Sequence, residues 1–254
     1  MRPERANDHV LSQLGFGVEW VGDDLEGTVS VIDEMCVPGT GQLRTSLLAT
    51  WADHLSGLLA ATAVAPRVPV TLQLDVHLYT PAPGSGTVRG RGRVLKAGRS
   101  VFFSDVEFSS DDAAVFAMST SSFMTSPDES LSLPASLSLD DPPPVQRLTA
   151  PFAERVGCER REPGTAVLPR SDDGLNSSNT FNGGLIALVV EEAVLSLSPG
   201  ATVSSLILRY LRPVRIGPAV ASARTGSGLG EIEVRDAGNG NRLSVLATTR
   251  FFDH

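Results

Sequence analysis

Two stretches of this chain, LDVHLYTPAPGSGTV at 74–88 and LILRYLRPVRIGPAV at 206–220, align without a gap, placing Pro81 against Pro213 and Val88 against Val220. The patterns around them repeat as well. In the first half FGVEWVG (16–22) and EGTVSVI (26–32) alternate as strands do, the turn-rich CVPGTGQ follows, and a helical period runs from about Leu43 to Ala65. Four more candidate strands come next: VTLQLDVHLYT, GTVRGRGRVLKA, SVFFSDVEFSS and AAVFAMSTSSFM. The second half offers VGCERRE and TAVLPR, the helical NTFNGGLIALVVEEAVLSLSPG with its Pro-Gly stop, and TVSSLILRYLRP, AVASARTG, LGEIEVRD and NRLSVLATTRFF. An internal duplication explains this order economically. A long helix followed by strands that return to one sheet is an α+β pattern, with the helix laid across one face of an antiparallel sheet.

Between the halves, TSPDESLSLPASLSLDD (125–141) and the PPPV after it are rich in Ser, Pro and Asp and weakly periodic, as linkers are. The expected division is a domain at 1–124, a linker at 125–147 and a domain at 148–254. On the first helix Leu48, Trp51, Ala52, Leu55, Leu58 and Leu59 form one stripe. A third of a turn away lie Ala49, Asp53, Ser56, Ala60 and Ala63, all small except the Asp. That face either meets solvent or lets a second layer, supplied by the duplicate, pack closely on it. In the second case the sheets join edge to edge and the helices meet near the middle.

Composition narrows the partners. Lys plus Arg number 21 against 29 Asp plus Glu, a formal net charge of -8, and no basic run exceeds two residues. A nucleic-acid binder needs a basic stripe facing the phosphates, so nucleic acid is not an expected partner. The N-terminal MRPERANDHVLSQ has no apolar core of the kind a signal peptide carries, and Leu58 to Ala65 is too short to span a bilayer. Membrane insertion is therefore not expected. Cys36 and Cys158 lack metal-like spacing and read as inert thiols in a reducing cytoplasm. No metal is expected.

The second helix carries the most telling residues: six apolar positions, Leu185 to Val190, run straight into Glu191 and Glu192, behind Asn182-Gly183-Gly184. This arrangement resembles the acyl-CoA thioesterase superfamily of tandem hotdog proteins, specifically its PaaI-like group, whose motif is His-Gly-Gly followed by an acid eight positions after the first Gly. The resemblance covers nearly everything but the first dozen residues and the linker. It implies two tandem hotdog domains, each a long central helix wrapped by a curved antiparallel sheet, with active sites in the seams between paired units. In the motif's register Glu191 takes the acid position, Asn182 stands for the His, and Asn176 for a Gln that some branches place six positions before it. The first helix keeps an acid, Asp53, but has Arg44-Thr45-Ser46 in place of His-Gly-Gly and Pro38 in place of the amide.

The expected chemistry is hydrolysis of an acyl-CoA thioester, with acyl-carrier-protein thioesters a close variant. Amides at a helix N-terminus lack intrahelical partners, so those of Gly183 and Gly184 can polarise the thioester oxygen; alternatively the glycines only let the chain turn tightly into the helix. Glu191, set among apolar residues, can serve as general base toward water or attack the carbonyl to form an anhydride. Glu192 is separated from it only by the family register. Asn176 and Asn182 can orient water or donate to the oxygen, or else cap the loop and the helix. Asp53 is the acid of a second, less complete site, or else, with Arg44 where the glycine entry would be, part of a binding or structural one. His54, next to it, points about 100 degrees away and cannot form a dyad with it by spacing alone. Arg209, Arg212 and Arg215 are candidates for the phosphates of coenzyme A, the only cofactor implied and then as part of the substrate. The resemblance also allows pairing of chains into a homo-oligomer. The rival expectation is a non-catalytic acyl binder or scaffold of the same fold.

Overall fold

The computed structural model of the protein describes residues 9–133, 147–176 and 178–252. Most of the linker expected at 125–147 lies outside the described residues, although Thr125 itself is the last residue of a strand.

The first half opens with the hairpin β1 (Gly17–Val21) and β2 (Asp24–Ser30), then a two-residue pair, β3 (Cys36–Val37) and β4 (Gln42–Leu43), across the turn-rich segment. Helix α1 (Thr45–Val64) follows, and then β5 (Pro69–Leu78), β6 (Thr87–Ala97), β7 (Val101–Ser109) and β8 (Val115–Thr125). The second half adds a single turn of helix, α2 (Phe152–Arg155), before β9 (Glu159–Arg160) and β10 (Thr165–Leu168). Helix α3 (Gly183–Leu197) precedes β11 (Val203–Tyr210), β12 (Ala219–Gly226), β13 (Leu229–Asp236) and β14 (Arg242–Phe251).

All the long strands form one sheet in the order β1-β2-β6-β7-β8-β5-β11-β14-β13-β12-β10-β9, antiparallel throughout. Read outward from the centre, each half has the same sequence of strands. The halves join where β5 pairs with β11, Ser205 opposite His77 and Arg209 opposite Gln73. The two long helices lie against this sheet and against each other, as in a tandem hotdog α+β architecture.

The small face of α1 is covered. Ala49, Ser56 and Ala60 are fully buried, and only Ala63 near the helix end is exposed. Every residue of α3 from Gly184 to Leu195 is buried, both glutamates included. A helix enclosed on all sides must be apolar on all sides, which explains why Leu185 to Val190 has no polar stripe. By length and hydropathy α1 could also cross a bilayer, but 61% of that stretch is buried within the fold, as in a core helix. The stripe side of α1 faces the sheet, where Trp51 stacks on Phe16 with ring centroids 5.3 Å apart.

Close approach of the helices depends on Gly184. A β-carbon there would lie 2.3 Å from Thr50 Oγ1 and 2.7 Å from Thr50 Cβ, closer than carbon atoms pack. Gly184→Val is therefore expected to force the helices apart and cost about 1–3 kcal/mol, with the loss read as a lower denaturation midpoint. An unchanged midpoint would mean that the crossing tolerates a side chain.

Candidate functional site

Antiparallel packing of α1 on α3 brings each helix's acidic position to the other helix's N-terminal end. Glu191 is eight residues into α3, about 12 Å along the axis from Gly183, and does not share a site with that helix's own amides. Asp53 is the carboxylate beside Gly183. The geometry therefore corrects the pairing of Glu191 with Gly183 and creates two different seams.

In the first seam, a β-carbon at Gly183 would lie 2.8 Å from Asp53 Oδ2 and 3.2 Å from the Tyr210 hydroxyl. Gly183 is the first residue of α3, and its N–H has no hydrogen-bond partner among the described residues. The Gly184 N–H is already committed: it donates to Asn182 Oδ1 at 2.8 Å, which makes Asn182 the N-cap. Thr71 Oγ1 donates to Asp53 Oδ1 at 2.9 Å, and Tyr210 donates to the Gly183 carbonyl at 3.0 Å. Burial pushes the Asp53 pKa up to about 6, because a charge far from water is costly; the Thr71 hydrogen bond only partly offsets this. Burial, and then the negative charge of Asp53, also raise the Tyr210 pKa, so the phenol stays a donor. His54 is exposed and makes no hydrogen bond to Asp53.

The second seam is filled. Ser46 donates to Glu191 twice, from its backbone N at 3.2 Å and from its hydroxyl at 2.7 Å. Arg44 Nη1 donates to Glu191 Oε2 at 3.2 Å and to Glu192 Oε1 at 2.6 Å, and Arg160 Nε donates to Glu192 Oε2 at 2.6 Å. Arg44, Glu191 and Glu192 are almost wholly buried. Burial alone would lower the Arg44 pKa, but the two carboxylates outweigh it and raise it. Where Gly183, without a side chain, lets Asp53 and Tyr210 approach the start of α3 in the first seam, Ser46 and Arg44 close on Glu191 in the second.

The remaining candidates spread around the first seam. Asn176 is exposed, and its side-chain oxygen accepts from the Ser178 and Thr180 amides and the Thr180 hydroxyl, folding the loop before α3. Arg209 is exposed on the outer face of the sheet, one residue from Tyr210 and so on the opposite side from the site. Arg212 and Arg215 are exposed on the segment whose Val214 carbonyl accepts from Phe181, next to the start of α3. Arg170 joins them, donating to the Arg215 carbonyl and to Asn179 Oδ1. Sequence reasoning missed Thr71, Tyr210 and Arg170, which lie far from the motif along the chain and carry no local signature. Ser46 was in view only as a departure from the glycine pair. Both cysteines are buried free thiols, and burial pushes Cys158 up to about 12. No cluster of metal-ligating side chains occurs among the described residues.

Residues 45–117 match the family model described as Thioesterase superfamily, a span that holds all of α1 and Asp53. A search of curated proteins found no match. Among solved structures, the acyl-ACP thioesterase of Bacteroides thetaiotaomicron VPI-5482 superposes with a TM-score of 0.62 at 14% identity, covering 89% of this chain and 98% of that one. The 12:0-ACP thioesterase of Umbellularia californica gives a TM-score of 0.65 at 12% identity, with coverage of 92% and 99%. At these identities the structural likeness speaks for the fold. With the family match it supports a relationship to the hotdog-fold thioesterase superfamily, without singling out the PaaI-like group.

Proposed function

We propose that this chain hydrolyses acyl thioesters at one site, in the Asp53 seam. The observation that carries the reading is the juxtaposition of Asp53 Oδ2 with the unpartnered N–H of Gly183 at a helix N-terminus. A thioester carbonyl whose oxygen accepts from Gly183 N–H has its carbon close to the carboxylate. The helix end stabilises the charge that develops on that oxygen. Thr71 holds one Asp53 oxygen, leaving Oδ2 to take a proton from water as the water attacks. The tetrahedral intermediate collapses by breaking the C–S bond, and the proton held by Asp53 passes to the departing thiolate. Products are the acid and the free thiol.

Asn182 holds the helix end in place, and its side-chain NH2, without a partner among the described residues, is available as a second donor. Asn176 acts indirectly by shaping the loop before it. Tyr210 holds the Gly183 carbonyl and with it the first turn of α3, which carries the Gly183 N–H that receives the oxyanion. Arg212 and Arg215, with Arg170, are placed to meet phosphates of coenzyme A or of a carrier protein's prosthetic arm, whereas Arg209 faces away. A cytoplasmic setting suits either handle and two reduced cysteines. A non-catalytic reading fits the Glu191 seam, because its carboxylate is consumed by Arg44 and Ser46.

Thiol release from short, medium, long and aromatic acyl-CoAs, and from an acyl-carrier protein, tests this with Asp53→Asn and Glu191→Gln in parallel. Turnover should depend on Asp53 and survive in Glu191→Gln. The reverse dependence would move the active site to the Arg44 seam, and no turnover with any substrate would leave an acyl-binding scaffold.

A further inference from the structure

The filled seam opens onto a cleft of about 320 Å³, within the size range of small-molecule sites. Pro38, Pro151, Ala153, Leu195 and Pro199 give it stiff apolar walls. Its polar lining is Arg44, Arg160, Glu192 and Glu154. Two features of that lining limit what can bind. Arg44 and Arg160 are already paired with Glu191 and Glu192, so an added anion would find no free cation in this lining. Arg44, which is 1% exposed, also has an Nε–H with no hydrogen-bond partner, a buried donor that the fold leaves unsatisfied. Glu154, exposed at the rim, supplies an acceptor. The complementary ligand therefore carries no negative charge where it meets the cleft, and has a carbonyl to accept from arginine, an N–H to donate to Glu154, and an aliphatic body for the proline walls.

We infer that this cleft is a second, non-catalytic site for a neutral amide-bearing chain of the pantetheine type, the arm shared by coenzyme A and holo carrier proteins. The choice of pantetheine rests on the thioesterase reading of the Asp53 seam; the polarity and size of the ligand come from the cleft itself. The duplication thus leaves one seam that cleaves the thioester and one that holds its arm.

Pantetheine is titrated calorimetrically into the full chain and into Pro38→Trp and Ala153→Phe, each of which puts an aromatic ring into the cleft. Circular dichroism and cooperative melting show whether each variant is folded. Pro38 is exposed, so its replacement spares the core. One equivalent of binding should weaken by at least about tenfold in the variants. Binding of equal stoichiometry and strength in folded Pro38→Trp overturns the inference. Competition distinguishes the sources: displacement by coenzyme A points to the free cofactor, displacement by holo but not apo carrier protein points to the carrier arm, and displacement by neither overturns the assignment. Thioester turnover is scored separately. Turnover without cleft-dependent binding sinks this inference alone, and cleft-dependent binding without turnover sinks the catalytic reading alone.

Discussion

Asp53→Asn is expected to lower kcat/KM for thioester hydrolysis by at least about 100-fold, the lower end of what a positioned general base contributes. The amide keeps the size and the hydrogen bond with Thr71 but cannot take a proton from water. The pH profile provides a sharper test. With the Asp53 pKa raised to about 6, activity should climb as the carboxylate ionises and level off above that value, and this limb should vanish in the variant. Stability should move in the opposite direction. Because the folded-state pKa lies above the ordinary carboxylate value, the folded protein binds this proton more tightly than the unfolded chain does. The stabilisation that comes with protonation is fully present below the unfolded pKa and is lost as pH rises through about 6. At neutral pH the ionised, partly buried Asp53 is therefore a cost, on the order of 2–3 kcal/mol for a shift of this size. Asp53→Asn removes it and should raise the melting temperature at pH 7.5 more than at pH 4.5. A variant that loses activity and melts lower at both pH values would point to misfolding instead of lost chemistry.

Arg44→Ala should be the most destabilising single change in the second seam, costing about 3–5 kcal/mol, because it leaves a carboxylate buried without its cation. The side chain bridges Glu191 and Glu192 from a position that is 1% exposed, so salt in solution screens the pair little and the loss should persist at high ionic strength. Arg160 still neutralises Glu192 in this variant, which leaves Glu191 as the stranded charge. Adding Glu191→Gln to Arg44→Ala should therefore restore a large part of the stability, since Ser46 can still hydrogen-bond to the amide oxygen. Chemical denaturation of the wild type, both single variants and the double variant closes the cycle. Additive losses would mean that the two side chains are not coupled, contrary to the geometry. The same set shows why a helix this apolar accepts Glu191 and Glu192: both face cations supplied from elsewhere in the chain.

Much of the architecture was legible because it rests on local periodicity and repetition. Alternating strands, a 3.6-residue apolar stripe on α1 and a second copy of the whole order require only neighbouring residues to be read. The ungapped match between 74–88 and 206–220 corresponds to the two halves of one continuous sheet, with β5 and β11 at its centre. The small face of α1 announced a close neighbour as one of two alternatives, and Gly184 against Thr50 shows how close that neighbour is. Single-turn α2 escaped notice because four residues are too few to show a helical period.

By itself, the sequence determined the two-fold order, the two long helices and the short set of acids and glycines from which a site could be built. Only the tertiary structure decided which acid meets which helix end. Spacing along one helix ties Glu191 to Gly183, yet eight residues of α-helix hold them about 12 Å apart, and antiparallel packing across the pseudo-symmetric seam sets Asp53 beside Gly183 in its place. Nor could spacing reveal that Arg44 and Ser46 would close around Glu191 while the Gly183 N–H kept no partner among the described residues. Those contacts join residues 145 and 147 positions apart, and that separation is bridged by helix packing and sheet pairing, which no local pattern encodes.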